Sequence, residues 1–448
     1  MEHANLTSRL ACAGLCLLGI LATAGCSTYA QRIRPAHEQF YQDRLDTAAE
    51  ELATYMARHP GDADAAAMDL AMVQLLDGRP AEAEQTLRGV RDNLDAYEQA
   101  DAVESGLSML TDDQRLAYAG ENYERVLARV FLALANLLHD GQDAEAYSLQ
   151  INAKQAELLQ QVEDEEKEQA AVAYAPLAIA PYLRGVIREA TFANYDDASR
   201  AYHQVVSWQP GFQAGAEDLA RAQSGVHSRP GHGVLYVFAL VNRGPSKQET
   251  LEIPSTAALL IADRILSATS RYDVTPTLAP IKVPRVFVPP REVDALTVVV
   301  DNQTRGRTET ICDVAELALR QEEIELPKAV ARAVVRRAVK KAAIYATKNV
   351  VEASEPWADL ALSAVGVAWE ATEAADTRCW GLLPREIQVV RVELPAGRHD
   401  VQLLPLLTSR VSVAGPSISV DIADGRNTYL LACFPGPRAV GQVIQRTQ

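Results

Sequence analysis

The chain is poor in the arrangements from which catalytic and metal sites are usually built. Its six cysteines and eight histidines include no CxxC and no Cys/His spacing of a zinc site. It has no GxSxG nucleophile elbow, Walker A loop, HExxH helix or GxGxxG after a strand, so the local signatures of serine hydrolases, NTPases, zinc peptidases and dinucleotide enzymes are missing. Positive charge is also scarce. Lys and Arg number 43 against 59 Asp and Glu, a formal net charge of −16, which argues against a nucleic-acid partner and leaves anion binding to a local patch. After the N-terminal apolar stretch, no segment offers the ~20 apolar residues of a transmembrane helix.

Carboxylates are plentiful but show no catalytic pairing. Asp112 and Asp113, or Glu322 and Glu323, are neighbours in sequence and point in different directions on a helix; a glycosidase-type pair would be distant in sequence, and nothing selects one. His227 and His232 lie close together in a breaker-rich link without an acid or thiol beside them, which fits a flexible link better than a metal site. No cofactor is expected.

What the N-terminus does contain is a single Arg9, an apolar stretch from Leu10 to Ala24 and the string LATAGCS ending at Cys26 and Ser27. This is the layout of a bacterial lipoprotein signal: residues 1–25 would be removed and Cys26 would carry acyl chains such as palmitate. An ordinary secretory signal or a short anchor is the alternative, and either still exports the chain. Each buried CH₂ adds about 0.8 kcal/mol, so two or more chains anchor stably where one is marginal. Ser27 after the cysteine favours the outer membrane, facing the periplasm, if the organism has one. Cys12 and Cys16 leave with the signal, so the body keeps Cys312, Cys379 and Cys433. A Cys312–Cys379 bridge and three buried thiols are both open.

The mature chain reads as α+β in two parts. After a tether over 26–36, residues 37–223 carry a helical-repeat pattern. DTAAEELATYMARHPGD and DDASRAYHQVVSWQPGF place Ala48, Leu52, Pro60 and Ala198, Tyr202, Pro210 at the same separations, and GRPAEA (Gly78 to Ala83) and GQDAEA (Gly141 to Ala146) set a Gly five residues before an Ala. Tetratricopeptide-like repeats use Gly for the tight turn, Ala for the close crossing, a large residue to fill the gap and Pro to end the second helix. The irregular intervals make this a degenerate array. Tyr118 to Gln161 fits two extended helices, with Tyr123, Val126, Leu127, Val130, Leu134, Leu137 and Leu138 on one apolar face. The acidic run Glu163 to Glu166 and Glu168 reads as a solvated helix end or loop. Such arrays expose surfaces that hold partners.

Beyond a linker at 224–233, residues 234–448 form a mixed domain. Val234 to Val241 and Leu296 to Val300 read as strands, Cys312 to Glu325, Pro327 to Glu352 and Trp357 to Ala375 as helices, and the last 60 residues as an antiparallel sandwich or sheet built from Ile387–Leu394, Val401–Leu404, Arg410–Val413, Ile418–Ile422 and Thr428–Cys433. The helix from Lys328 to Lys348 is basic within an acidic protein. Arg332, Arg336, Arg337, Lys340 and Lys341 are candidate interaction residues on it, against the alternative of a structural helix whose cations meet the protein's own acids. Arg378 and Trp380 flank Cys379 in ADTRCWGLLP. They are candidate interaction residues too, although packing of Trp380 between helix and sheet, with Asp376 and Arg378 tying the junction, is the favoured reading.

Four strings, Ala117 to Leu138, Leu235 to Pro254, Glu325 to Ala343 and Ala375 to Val401, resemble in order an uncharacterised family of bacterial envelope lipoproteins with N-terminal helical repeats. The last string is the most specific. Where that family more often carries an acid before its Pro and Lys, this chain has Asn242 and Arg243, so no role falls to an acid there. The resemblance implies a lipid-anchored envelope protein, similar in setting to activators of peptidoglycan synthases. The expectation is a non-enzymatic scaffold or regulator that meets the membrane through its lipid and binds an envelope protein partner, in cell-wall or envelope maintenance. The alternative is an enzyme or ligand-binding module acting on an envelope polymer through the C-terminal domain.

Overall fold

The computed structural model describes residues 27–104, 117–162, 167–269, 280–350 and 374–448; side chains at 99–104, 169, 267–269 and 340–350 are outside this description. The lipidation candidate Cys26, the run Glu163 to Glu166 and most of the segment Trp357 to Ala375 lie outside it too.

The fold is α+β. Helices come first, in antiparallel hairpins: α1 (Tyr29–Tyr41) with α2 (Leu45–Arg58), α3 (Ala63–Leu76) with α4 (Pro80–Glu104), α5 (Asn122–His139) with α6 (Ala144–Gln160), and, after the short α7 (Lys167–Ala173), α8 (Ile179–Glu189) with α9 (Tyr195–Trp208), followed by α10 (Gln213–Gln223). Each hairpin turns through one residue of positive φ: Asp43, Gly78, Gly141 and Phe192. Ala48, Leu52, Ala83, Ala198 and Tyr202 are fully buried at the helix crossings. Pro60 and Pro210 follow residues of near-identical backbone conformation, His59 (φ −130, ψ 71) and Gln209 (φ −136, ψ 70), because a residue before proline is pushed out of the helical region. The third hairpin departs from the expected register. Ala146 is exposed, and Tyr147 takes the inward position four residues into α6, since one more residue separates Gly141 from its helix than separates Gly78 from α4.

The expected tether at 26–36 is also corrected. Thr28 and Gln31 form a capping box that starts α1 at Tyr29, and Tyr29, Ile33 and Ala36 are core residues. The linker at 224–233 is pinned as well. His227 is 1% exposed and its Nε2 lies 2.8 Å from Asn427 Oδ1, so the flexible-link reading fails: burial of a ring that needs a polar partner fixes the segment.

The second half is built on a central five-stranded sheet ordered β11-β10-β1-β7-β6, from β1 (His232–Arg243), β6 (Glu309–Asp313), β7 (Pro384–Pro395), β10 (Asn427–Phe434) and β11 (Val440–Thr447). A four-stranded sheet, β5-β4-β8-β9, comes from β4 (Val293–Val300), β5 (Gln303–Arg307), β8 (Gly397–Leu407) and β9 (Ser417–Ile422). Val234, Tyr236, Phe238 and Leu240 of β1 face the helices, while Leu235, Val237, Ala239 and Val241 face the second sheet. The molecule is thus layered as helices, sheet and sheet, and a strand covered on both faces reads as a continuous apolar run. The terminal strands are not a purely antiparallel set, because β10 inserts parallel to β1 with Tyr236 opposite Tyr429. Arg410 to Val413 is not a strand; it contributes only the bridge Leu406–Ser412. Asn242, with φ 61, accepts from the Glu292 and Val293 N–H groups and donates to the Val293 carbonyl, fastening β1 to β4.

The two helices expected on either side of Glu325 are one helix, α12 (Val314–Val350), with Pro327 inside it, and Cys312 lies in β6. The start of α12 packs into the main core through Val314, Leu317 and Ala318. Its later turns pack through Val330, Val334 and Val335 against Ala258 and Ala262 of α11 (Thr256–Thr269) and Ile281 and Val283 of β3 (Ile281–Phe287), which pairs with β2 (Ser246–Glu252). A smaller outlying module therefore shares one helix with the body. The three described cysteines are buried free thiols, so Cys312 and Cys379 are not bridged.

Candidate functional site

The residues from 375 to 383 form a strap without regular secondary structure that crosses the helical half. Thr377 Oγ1 accepts from Ala30 N–H at 3.1 Å, and Arg378 donates to the Gly61 carbonyl at 3.1 Å. Trp380 N–H donates to Glu124 at 2.7 Å, and Leu382 N–H to Asp69 at 2.8 Å. Arg378 chelates Asp376 through Nε and Nη2, at 2.9 and 2.6 Å, and lies over the Tyr118 ring. The Trp380 ring sits 5.3 Å from that of Phe131. At Gly381 a Cβ would stand 2.2 Å from His37 Cε1, so the close passage of the strap over α1 requires glycine. Arg378 is 3% exposed and Trp380 0%. Neither is an exposed interaction spot, because both fill the junction between the helices and the sheet.

Glu124 anchors this crossing. It accepts from Tyr118 Oη at 2.5 Å, Tyr123 Oη at 3.2 Å and its own cap at Glu121 N–H, 3.1 Å. Burial, reinforced by the charge of Glu121, pushes its carboxyl up to about 7, against the hydrogen bonds from Tyr118 and Trp380 N–H and the charge of Lys247. Lys247 itself pairs with Glu121. Burial would raise the Asp376 carboxyl, but its hydrogen bonds and ion pair with Arg378, aided by Lys247, outweigh this and hold it below the usual range.

Beside the strap, α12 and the paired strands β2 and β3 border a cavity of about 320 Å³ lined by Glu121, Lys247, Lys282, Glu322, Glu325 and Arg332. Glu322 is committed, accepting from Arg285 Nε and Val286 N–H at 2.8 and 2.7 Å. A more open groove of about 990 Å³ shares Asn122, Glu325 and Arg332 with it and has an apolar wall that includes Leu158, Tyr174, Leu260 and Ile265.

Of the basic-helix candidates, Arg332 and Arg336 line this cavity. Arg337 turns the other way and donates to the Pro280 carbonyl at 2.8 Å. Lys340 and Lys341 belong to α12, but their side chains are outside the described residues. Lys328 lies 3.7 Å from Glu325, an acid of its own helix. Sequence reasoning did not find Glu121, Glu124, Lys247 or Asp69. The E-x-x-E cap at Glu121 and Glu124 was a usable signal, whereas the apolar face of α5 gave no warning that its charged residues are buried as well.

Among the described residues, no group of three His, Cys, Asp or Glu side chains stands ready for a metal ion, and no helix is long and apolar enough to cross a membrane. No family model, curated protein or solved structure matches the chain.

Proposed function

We propose that the protein is a non-enzymatic cell-envelope lipoprotein, anchored through Cys26, that acts as a protein-interaction scaffold or regulator in cell-wall or envelope maintenance. Its helical half is read as a degenerate tetratricopeptide-like array. The observation that carries this reading is the use made of the buried acids. Asp69, Glu124, Glu189 and Glu386 each accept hydrogen bonds from groups that tie elements of the fold together, which suits a rigid platform. The partner would then meet the surface around α12, where Arg332 and Arg336 give an acidic protein a local cationic spot.

The test is affinity capture from native membranes. The wild-type protein should retain one reproducible envelope protein and Arg332→Glu/Arg336→Glu should lose it, while Cys26→Ala should move the protein out of the detergent phase. Equal capture by the charge-reversed variant would sink the surface assignment, and an acyl-labelled Cys26→Ala protein would sink the anchor.

The cavity favours a second reading, a ligand-binding module for an envelope polymer, because carboxylates and cations converge there within a volume suited to a small polar group. Co-sedimentation with purified cell-wall sacculi separates the two: retention that depends on Arg332 favours the module, and its absence favours the scaffold.

A further inference from the structure

The seam between the last helices and the central sheet contains four buried polar atoms without a hydrogen-bonding partner: Tyr182 Oη of α8, Asp218 Oδ2 of α10, Tyr236 Oη of β1 and Arg391 Nε of β7. Tyr182 and Tyr236 are 0% exposed and Asp218 2%. The four converge. Tyr236 and Arg391 are register partners across β1 and β7, so their side chains leave the same face of the sheet. Tyr182 interacts electrostatically with Asp218, Tyr236 and Arg391, Asp218 with Arg391, and Tyr236 with Arg391 and Asp218.

The surrounding groups are already occupied. Glu189 accepts from Arg221 at 2.6 and 2.9 Å and from Tyr202 at 2.8 Å. Arg221 also holds the other oxygen of Asp218 at 2.6 Å, Asn427 donates to Tyr429 at 3.0 Å, and Arg391 Nη2 donates to the His227 carbonyl. These bonds leave the four atoms themselves without a partner.

Leaving a buried polar atom unsatisfied costs about as much as desolvating it, ~1–3 kcal/mol each, so four in one place point to a ligand. Its chemistry follows from theirs. Two hydroxyls can donate or accept, the guanidinium Nε–H only donates, and the second oxygen of the Asp218 carboxyl, whose first oxygen pairs with Arg221, serves as an acceptor. An anion would face Asp218 and a cation would face Arg391. The remaining class is a small neutral molecule that both donates and accepts.

We propose that this seam is an internal hydration site, in which ordered water bridges Tyr182, Asp218, Tyr236 and Arg391 and so joins the last helical hairpin to the central sheet. Buried waters typically make two to four such bonds and hold together the elements that supply them. The site is independent of the envelope reading of function.

The test turns on a sign. Removing a hydroxyl that bonds to bound water loses that bond, whereas removing one that has no partner relieves a penalty. Tyr182→Phe and Tyr236→Phe should each lower the thermal midpoint of the full chain by roughly 1–3 °C, and the double variant should lower it by less than the sum, because both hydroxyls serve the same water. Tyr202→Phe, which removes a hydroxyl bonded to Glu189, is the control that shows the measurement resolves one lost bond. A crystal structure should show water density within hydrogen-bonding distance of at least three of the four atoms. Unchanged or raised midpoints in both single variants, or a refined structure with no water between these groups, would overturn the proposal.

Discussion

The core between the two sheets and the seam between the helices and the central sheet are buried to the same degree by opposite means. Between the sheets, the apolar core is built from Ala, Val, Leu and Ile with Phe434, and the buried polar residues on the same strand faces, Glu386, Gln388 and Thr428, sit toward the starts of β7 and β10. Along the helical side, Asp69, Glu84, Glu124, Glu189, Arg125, Arg129, Asn136 and Lys154 are buried among the apolar residues. The dry core has no preferred partners beyond shape, since apolar attraction is non-directional. The polar seam is directional, because each buried charge tolerates only the geometry that satisfies it. A layered fold can therefore be stabilised on one face of a sheet and aligned on the other.

The sharpest way to break this comparison is to orphan a charge in the seam. Arg221→Ala leaves Glu189 at 0% exposure with only Tyr202 as a donor, and chemical denaturation should show a loss of about 3–5 kcal/mol. Adding Glu189→Gln should recover part of it; an undiminished loss would mean that Arg221 acts by packing alone. In the dry core, Leu403→Ala should cost about 2–5 kcal/mol from lost burial and the cavity left behind, and second-site polar changes elsewhere should leave that loss as it is. A Leu403 penalty that varied with the charge state of the seam would dissolve the distinction between the regions.

A smaller effect separates the regions by pH. Burial raises the folded Glu124 carboxyl from its ordinary 4.5 to about 7, so the folded chain holds this proton more tightly than the unfolded chain does. The contribution is present in full below about 4.5 and is lost as pH rises toward about 7. It amounts to at most about 3 kcal/mol. Comparing unfolding free energies of wild type and Glu124→Gln across that range cancels the other titrating groups. Their difference should change with pH in this window, and a constant difference would show that Glu124 stays ionised throughout. The Leu403→Ala difference should be flat across the same range.

The helical hairpins were largely legible because their signals are local. Ala48 with Leu52, and Ala198 with Tyr202, stand one helical turn apart, and the positive φ at Gly78 and the stops before Pro60 and Pro210 belong to single residues. The register failed at Gly141 because one additional turn residue displaces every later position, which composition does not reveal. Short strands β2, β3, β5, β6 and β11 escaped notice, since partners rather than intrinsic pattern make them strands. Pro327 misled in the other direction: it reads as a helix start, yet packing of α12 at both ends carries the helix through it. At the site, Arg332 was visible by its charge run and Trp380 by its motif. Glu124 and Asp69 were not, because a carboxylate looks the same in sequence whether it faces water or the Trp380 and Leu382 amides.

Sequence alone determined the helical-then-mixed order, the hairpin turns and the apolar strands β1 and β10, all of which follow from the periodicity and backbone preferences of contiguous residues. Tertiary structure decided that β10 lies parallel to β1, that the strap from 375 to 383 crosses the helices, and which charges are buried and paired. Those outcomes join residues up to hundreds of positions apart, and their energies come from desolvation and from partners that exist only once the layers have closed.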